Sequence, residues 1–360
     1  MRSVIRQFKR RVEPRKQLRQ ASVRLLGVDD RPVAREAVET AVDASYSMVN
    51  DAMRRVVFGQ ASALTPEFVE QKYDRLAGAY IDADYRNSDT RGVYWVDGQL
   101  RETHRHTHYR KMMDEYAHHL RRVPFDSCLE VGAGELTTLA EMAGRLGSHR
   151  QYHGIDLSFP RLYQGVGYFA DEPAQLRAVR ADARRLPYPD DSFDLVYTAH
   201  CLEHMPFDFR RAIDEMLRVA RHTVVLFEPS YELAGPLQKL RMRANGYVRG
   251  LDDYLGAIDD RGAVVVPARL LDNASPFNRT ARYMLHLPSG QRPATRHHTP
   301  ILACPQCTEP LDDPSWHSSL RCHRCHRAYP VIEGIADLGV DAAYCVESSD
   351  DAAASQSDSE

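Results

Sequence analysis

The chain has 360 residues, 43% apolar and 27% charged, with a formal net charge of −3. That length allows one principal core with attachments, since single domains run to roughly 100 to 200 residues. No run approaches the ~20 consecutive apolar residues that cross a bilayer, and the start lacks the apolar centre of a secretory signal, so a cytoplasmic protein is expected.

The near-neutral total conceals opposite ends. Residues 1–24 carry nine Arg or Lys against Glu13, whereas residues 341–360 carry six acids and no base. The basic start reads as a solvated helix face, with anionic lipid or nucleic acid as other readings, and its acid-poor character also resembles a mitochondrial presequence. The acidic tail has too few apolar residues to fold.

In chain order, Asp30-Arg-Pro32 precedes apolar positions at helical spacing from Val33 to Val56, and Thr65-Pro66-Glu67 opens another helix. Residues 1–100 therefore read as a basic segment and helical cap. His104, His106 and His108 alternate and are expected to be exposed and free of metal, and His108 to Arg122 reads as a helix leading into the first strand.

From there the pattern alternates: strand 127–132, helix 136–146, strand 151–156, helix 158–169, strands 177–181 and 193–199, helix 207–220, strand 223–228. Such alternation predicts an α/β fold with a doubly wound parallel sheet covered on both faces. The pattern loosens over 231–262, and 263–267 and 280–287 offer the last strands. Residues 288–299, rich in Pro, Arg and His, read as a linker.

Beyond it, Cys304, Cys307, Cys322 and Cys325 form two C-x2-C pairs separated by 14 residues. Four soft ligands at this spacing point to structural, tetrahedral Zn2+, because a module of ~40 residues cannot otherwise bury enough core. His317, His323 and His326 lie nearby, but four cysteines leave no vacancy.

The most informative stretch is Cys128-Leu-Glu-Val-Gly-Ala-Gly134, followed by Gly154-Ile-Asp156 and Ala181-Asp182. It describes a nucleotide-type ligand held by three successive strand ends. A turn of Gly132, Ala133 and Gly134 lets backbone approach, and acids at the next strand ends accept hydrogen bonds from ribose and base. For Asp156 the alternative is a helix cap before Ser158.

This ordering resembles the class I S-adenosylmethionine-dependent methyltransferases. The segment Asp190 to His204 is similar to the fourth strand and following turn of the quinone-biosynthesis (methyltransferase type 11) kind, and Tyr73 to Tyr80 is similar to the segment that packs over the cofactor cleft there. The resemblance covers about residues 70–290 and implies a Rossmann-like, seven-stranded sheet. It also implies S-adenosylmethionine as cofactor: the amino-acid half on Gly132–Gly134 with Glu130 fixing the turn or meeting the ammonium through water, ribose on Asp156, adenine beside Leu157, and its amino group at Asp182 and Ala183. Leu136 stands where the family usually has a third glycine. His200 is expected near the sulfonium, and His204 is the candidate acceptor of a substrate proton; the alternative has His200 packing on the cofactor and His204 capping the turn. Residues 229–275, with Tyr231, Arg241, Arg243, Tyr247 and Arg249, are expected to wall the acceptor pocket.

Residues 300–338 resemble the small zinc-ribbon proteins that activate tRNA and release-factor methyltransferases. The expected organisation is a basic segment and cap (1–100), a methyltransferase domain (101–290), a zinc ribbon (300–340) and an acidic tail (341–360). The expected function is methyl transfer to a small molecule or a glycan or lipid precursor, with methyl transfer to RNA and cofactor binding without turnover as the alternatives.

Overall fold

The computed structural model describes residues 65–87, 89–259, 263–275, 278–288, 301–312, 319–339 and 341–345. The helix expected over 33–56, the basic start, the body of the linker, His317 and the acidic tail beyond residue 345 lie outside the described residues.

Helix α1 (Pro66–Asp74) opens where Thr65 accepts a hydrogen bond from the N–H of Phe68 and Pro66 takes the first helical position. A helical turn (Ala79–Ile81) runs into a π-helical turn (Asp82–Arg86). Not all of the N-terminal region is helical. Strands β1 (Arg91–Val96) and β2 (Gln99–His104) pair antiparallel across Asp97-Gly98. Both turn residues have positive φ, 51° and 75°, as the favoured two-residue hairpin requires. Helix α2 (Arg105–Leu120) begins three residues before the expected His108.

The body of the molecule is a sheet built from β3 (Ser127–Val131), β4 (Gln151–Asp156), β5 (Leu176–Arg180), β6 (Phe193–Ala199), β7 (Ala220–Pro229), β8 (Val264–Leu270) and β9 (Thr280–His286). Their order is β5-β4-β3-β6-β7-β9-β8, with β9 antiparallel to both neighbours and the rest parallel. All five residues of β3 are buried, as a central strand covered on both faces demands. One face carries α2, α3 (Thr137–Leu146) and α4 (Phe159–Tyr168). The other carries α5 (Phe209–Val219), which buries Phe209, Ala212, Ile213, Met216 and Val219 on one stripe.

Two helices, α6 (Pro236–Asn245) and α7 (Leu251–Asp259), occupy the stretch whose pattern is loose. The cysteine-rich segment contributes β10 (Ser319–Arg321), β11 (Arg327–Ile332), β12 (Ile335–Asp337) and β13 (Tyr344–Cys345). It does not stand apart from the sheet. β12 runs parallel to β5, with Ile335 opposite Ala178 and Asp337 opposite Arg180, so the ribbon continues the central sheet to eleven strands among the described residues. Among the described residues no helix is long and apolar enough to cross a membrane.

Candidate active site

Strand order reverses around β3, which has β4 on one side and β6 on the other, so the loops after β3, β4, β5 and β6 meet at the carboxyl edge of the sheet. A cavity of about 710 Å3 opens there, within the size range of small-molecule sites. Gly132, Asp156, Leu157, Asp182, Ala183, His200 and His204 all line it. Glu130, Ala133 and Gly134 are not among its lining residues.

The glycine turn is packed tightly from both sides. Gly132 has a φ of 80°, and a Cβ there would lie 2.5 Å from Cys201 Sγ, so glycine lets the turn after β6 close onto the turn after β3. The N–H groups of Gly132 and Ala133 both donate to the Ile155 carbonyl, at 2.9 and 2.8 Å. Gly134 donates to Asp156 Oδ2 at 2.8 Å, while Asp156 Oδ1 accepts from the N–H of Ser158 at 2.9 Å. Ser158 itself caps α4. Each carboxylate oxygen of Asp156 keeps a lone pair for a hydroxyl in the cavity. Leu136, in place of a third glycine, adopts a φ of 58° and is fully buried.

Glu130 accepts a hydrogen bond from the Tyr197 hydroxyl at 3.0 Å, and burial pushes its carboxyl up to about 8 against the opposing effect of that bond. Between the unfolded value of about 4.3 and about 8 the folded chain holds the extra proton, so stability falls as pH rises through that window. Glu130→Gln is expected to remove this decline, worth on the order of a few kcal/mol. Urea unfolding of both proteins at pH 5 and pH 8 checks it: the wild-type chain loses more stability over the interval than the variant.

Asp182 is held by Arg184, whose backbone N–H donates to Oδ1 at 2.8 Å and whose Nε lies 2.9 Å from the same oxygen. Arg184 also reaches Asp208 at 3.4 Å.

The turn after β6 concentrates ionisable groups. Glu203 is buried between two imidazoles, with His204 Nε2 3.2 Å from Oε1 and His200 Nδ1 3.6 Å from Oε2. The amide of Asn278 donates to Oε2 at 3.0 Å. Burial opposes ionisation of Glu203, but His204 and His200 outweigh it and hold the carboxyl well below the usual range. Burial likewise opposes charge on His200, while Glu203 raises its ring above the ordinary histidine value. Tyr73 of α1 brings its hydroxyl 2.5 Å from His204 Nε2. Burial raises the Tyr73 phenol, so it acts as a neutral hydrogen-bonding group rather than a base.

A second acid sets this turn. Glu228, fully buried at the end of β7, accepts through Oε1 from Thr198 Oγ1 (2.7 Å) and from the N–H groups of Cys201 (2.9 Å) and Leu202 (3.0 Å). Through Oε2 it accepts from the N–H of Glu203 at 3.2 Å. Burial raises its carboxyl. Four donors from the β6 end thus converge on one side chain of the neighbouring strand.

The cap is fastened in the same way. Glu135, buried just after the glycine turn, accepts from the N–H groups of Gly78 (3.1 Å), Tyr80 (3.4 Å) and Ile81 (2.8 Å), and Ser158 Oγ donates to Asp74 at 2.5 Å. Tyr73 and Tyr80 therefore line the cavity. Of the residues expected to wall an acceptor pocket, Arg241 and Tyr247 line the cavity, whereas Tyr231, Arg243 and Arg249 are not in its lining, the first two packing against one another. The expectation that His104, His106 and His108 are all exposed fails for His108, which is buried against Tyr94 and whose ring burial pushes down to about 4, whereas His104 and His106 are half-buried with ring centroids 5.6 Å apart and Asp89 beside them.

In the ribbon, the sulfurs of Cys304, Cys307, Cys322 and Cys325 all lie within 4.8 Å of one another, with Cys304 to Cys325 at 3.6 Å and Cys307 to Cys322 at 3.3 Å. A tetrahedron of thiolates around zinc has edges of about 3.8 Å, so the four sulfurs fit such an ion. The ribbon reaches the cavity rim through Arg180, which contacts Glu70 of α1 (2.7 Å) as well as Asp337 (3.2 Å) and Asp341 (3.0 Å) of the ribbon.

Comparison with known proteins separates the two parts. Residues 128–223 match the family described as "Methyltransferase domain", and residues 296–334 match the "Trm112p-like protein" family. The first stretch is a methyltransferase domain. Ajmaline N-methyltransferase of Rauvolfia serpentina is 35% identical over 94 residues, 26% of this chain and 31% of the relative. Demethylmenaquinone methyltransferase of Lysinibacillus sphaericus (strain C3-41) is 30% identical over 126 residues, 34% of this chain and 53% of the relative. The chain thus spans between a third and about half the length of these relatives. A solved O-methyltransferase family protein from Burkholderia thailandensis has a TM-score of 0.48 at 14% identity, covering 70% of this chain and 73% of that one.

Sequence reasoning missed Glu228 and Glu135 as parts of the site. Glu228 had a signal, an acid at the carboxyl end of a parallel strand. Glu135 had none, because its partners lie 54 to 57 residues earlier in the chain.

Proposed function

We propose that the protein transfers a methyl group from S-adenosylmethionine to a protic group on a small organic acceptor. The observation that carries this reading is the convergence of Gly132, Asp156, Asp182 and the His200–His204 turn on one capped cavity. When bound, the cofactor supplies a methyl group already activated on a sulfonium. Asp156 is assigned to the ribose hydroxyls, and Leu157, Asp182 and Ala183 to the adenine.

The residues of the chain supply alignment, dryness and a place for a proton. Tyr73 and Tyr80 cover the cavity and limit water. The His204 imidazole is assigned as the group that accepts the acceptor's proton, with Tyr73 and Glu203 orienting the ring through Nε2 and the Glu203 carboxylate stabilising the imidazolium formed. His200, held by Thr280 at 2.9 Å and by Asn278 at 3.2 Å, positions Glu203 from the other side. Arg241 and Tyr247 give the acceptor side of the cavity a cationic and aromatic wall, suited to an anionic or sugar-like acceptor. Zinc on Cys304, Cys307, Cys322 and Cys325 is assigned a structural role, and a cytoplasmic location accompanies this reading.

RNA as acceptor is the second reading, favoured by the Trm112p-like match at 296–334. The cavity, about 710 Å3 and partly roofed by Tyr73 and Tyr80, is of small-molecule size. Titration calorimetry with S-adenosylhomocysteine, followed by tritiated methyl transfer into separated small-molecule, RNA and protein fractions, decides between them. Asp156→Ala is expected to weaken binding roughly 100-fold through loss of two charge-assisted bonds. His204→Gln is expected to bind normally and transfer at least about 100-fold more slowly. Label in the RNA fraction alone overturns the small-molecule assignment, and unaltered binding by Asp156→Ala overturns the ribose assignment.

A further inference from the structure

Above the glycine turn lies a cation that the site as described does not use. Arg161 projects from the first turn of α4 into the cavity, with its side chain 11% exposed. Its guanidinium is held between two aromatic rings of the cap, 5.0 Å from the centroid of Tyr73 and 4.7 Å from that of Tyr80. It also covers Gly134, where a Cβ would meet Arg161 Nη2 at 2.3 Å.

The charge is near acids, yet its Nε is buried without a hydrogen-bond partner. Glu135 lies 3.7 Å from Nε and Asp156 lies 3.9 Å from Nη1. Both carboxylates already serve backbone donors, three on Glu135 and two on Asp156. The neighbouring cations are engaged: Arg105 with Asp84 at 2.6 Å, Arg184 with Asp182, and Arg241 with Asn278 at 2.9 Å.

Nor do the N–H groups of the glycine turn offer an anion site there. In many nucleotide folds the N–H groups of the glycine turn face the ligand, but here those of Gly132, Ala133 and Gly134 all point to Ile155 and Asp156. An anion resting above this turn meets the Arg161 side chain beside the uncapped first turn of α3, whose Thr137 and Thr138 also line the cavity. A guanidinium fixed by flanking rings presents its N–H edge in one plane, which suits two parallel bonds to a carboxylate.

We propose that Arg161 is the anchor for the α-carboxylate of the methyl donor's amino-acid end, resting on the donor assignment made above. Tyr73 supports the geometry, because its ring covers Arg161 while its hydroxyl meets His204. The carboxylate end and the methyl end of one ligand would then lie at opposite ends of a single tyrosine side chain. The chemistry recognised is a carboxylate beside an ammonium, with Glu135 and Asp156 supplying negative potential for the latter. A carboxylate on the acceptor is the other source of the same chemistry.

The test compares three probes on the full chain by titration calorimetry: S-adenosylhomocysteine, its thiopropylamine analogue lacking the carboxylate, and 5′-methylthioadenosine, which lacks the whole amino-acid end. For the unaltered protein, loss of the carboxylate is expected to weaken binding on the order of 10- to 100-fold. Arg161→Gln is expected to lower affinity for S-adenosylhomocysteine by the same factor and to leave 5′-methylthioadenosine unchanged, and Arg161→Lys to recover part of the loss. Equal affinity of the unaltered protein for the first two probes overturns the anchor and assigns Arg161 to an acceptor carboxylate or to the cap, and this comparison does not depend on the folding of any variant. An equal fall for all probes in Arg161→Gln also overturns it, since that is the signature of a damaged cap. If the unaltered protein binds none of the three, the donor assignment itself fails, and the anchor with it.

Discussion

Stripping zinc with a chelator, or introducing Cys307→Ser, is expected to lower the melting temperature by at least about 5 °C, corresponding to a loss of a few kcal/mol. The reasoning starts from size. The described residues between 301 and 345 contribute only short strands and a few buried side chains, among them Leu302, Leu311, Leu320 and Tyr329. Structural zinc provides on the order of 10 kcal/mol to such modules, far more than this segment can gain from burial alone. The loss spreads because β12 pairs with β5, Ala303 donates to the Pro187 carbonyl at 2.9 Å, and Arg185 donates to the Gln306 carbonyl at 2.8 Å. Elemental analysis should find one zinc per chain before treatment and none afterwards, with melting followed by circular dichroism. A chain free of zinc that melts where the loaded chain does would show that the four thiols hold the ribbon without metal.

The second large effect is expected at Glu228. Replacing it with alanine leaves Thr198 Oγ1 and the N–H groups of Cys201, Leu202 and Glu203 without their acceptor in a fully buried place. At roughly 1–3 kcal/mol for each orphaned donor, partly relieved by water or by movement of the turn, the cost is about 3–5 kcal/mol. Methyl transfer should fall below measurement, because the same donors fix Glu203 between His200 and His204. Glu228→Gln grades the effect. Three of the four donors meet Oε1, which an amide oxygen reproduces, so only the bond from Glu203 N–H to Oε2 is replaced by two opposed donors. Urea unfolding and tritium transfer on the two variants give the ranking: wild type above Gln, Gln above Ala. An alanine variant within about 1 kcal/mol of the wild type would mean that the turn finds other acceptors.

The central sheet was legible because its signals are local. Near-continuous apolar runs such as Cys128 to Val131 mark buried strands, the Gly132 turn marks a backbone crossing, and two C-x2-C pairs mark a ligand set, each readable within a few residues. The β1–β2 hairpin also had a local signal in Asp97-Gly98, but β2 reads Gln-Leu-Arg-Glu-Thr-His and offers no alternating apolar face. Helix α6 was hidden for a similar reason: Pro236 at its start and Gly246 at its end punctuate it properly, yet its body lacks a clear apolar stripe.

The site was legible in its cavity-facing positions and illegible in what holds them. Gly132, Asp156, Asp182, His200 and His204 sit at strand ends, and strand ends can be found from periodicity. What joins them is long-range: Tyr73 meets His204 across 131 residues, Glu228 reaches 25 to 30 residues back to the β6 turn, and Glu135 fastens a cap more than 50 residues earlier. Spacing carries no trace of such contacts, because each depends on how the sheet brings distant loops together.

The pairing of β12 with β5 also bears on how the chain behaves in a crowded solution. Without β12, the backbone of Ala178 to Arg180 would present an open row of donors and acceptors, the kind of border along which separate molecules zip together. The ribbon thus acts as a hem, and a chain shortened before residue 300 should precipitate or self-associate even where its cavity is intact.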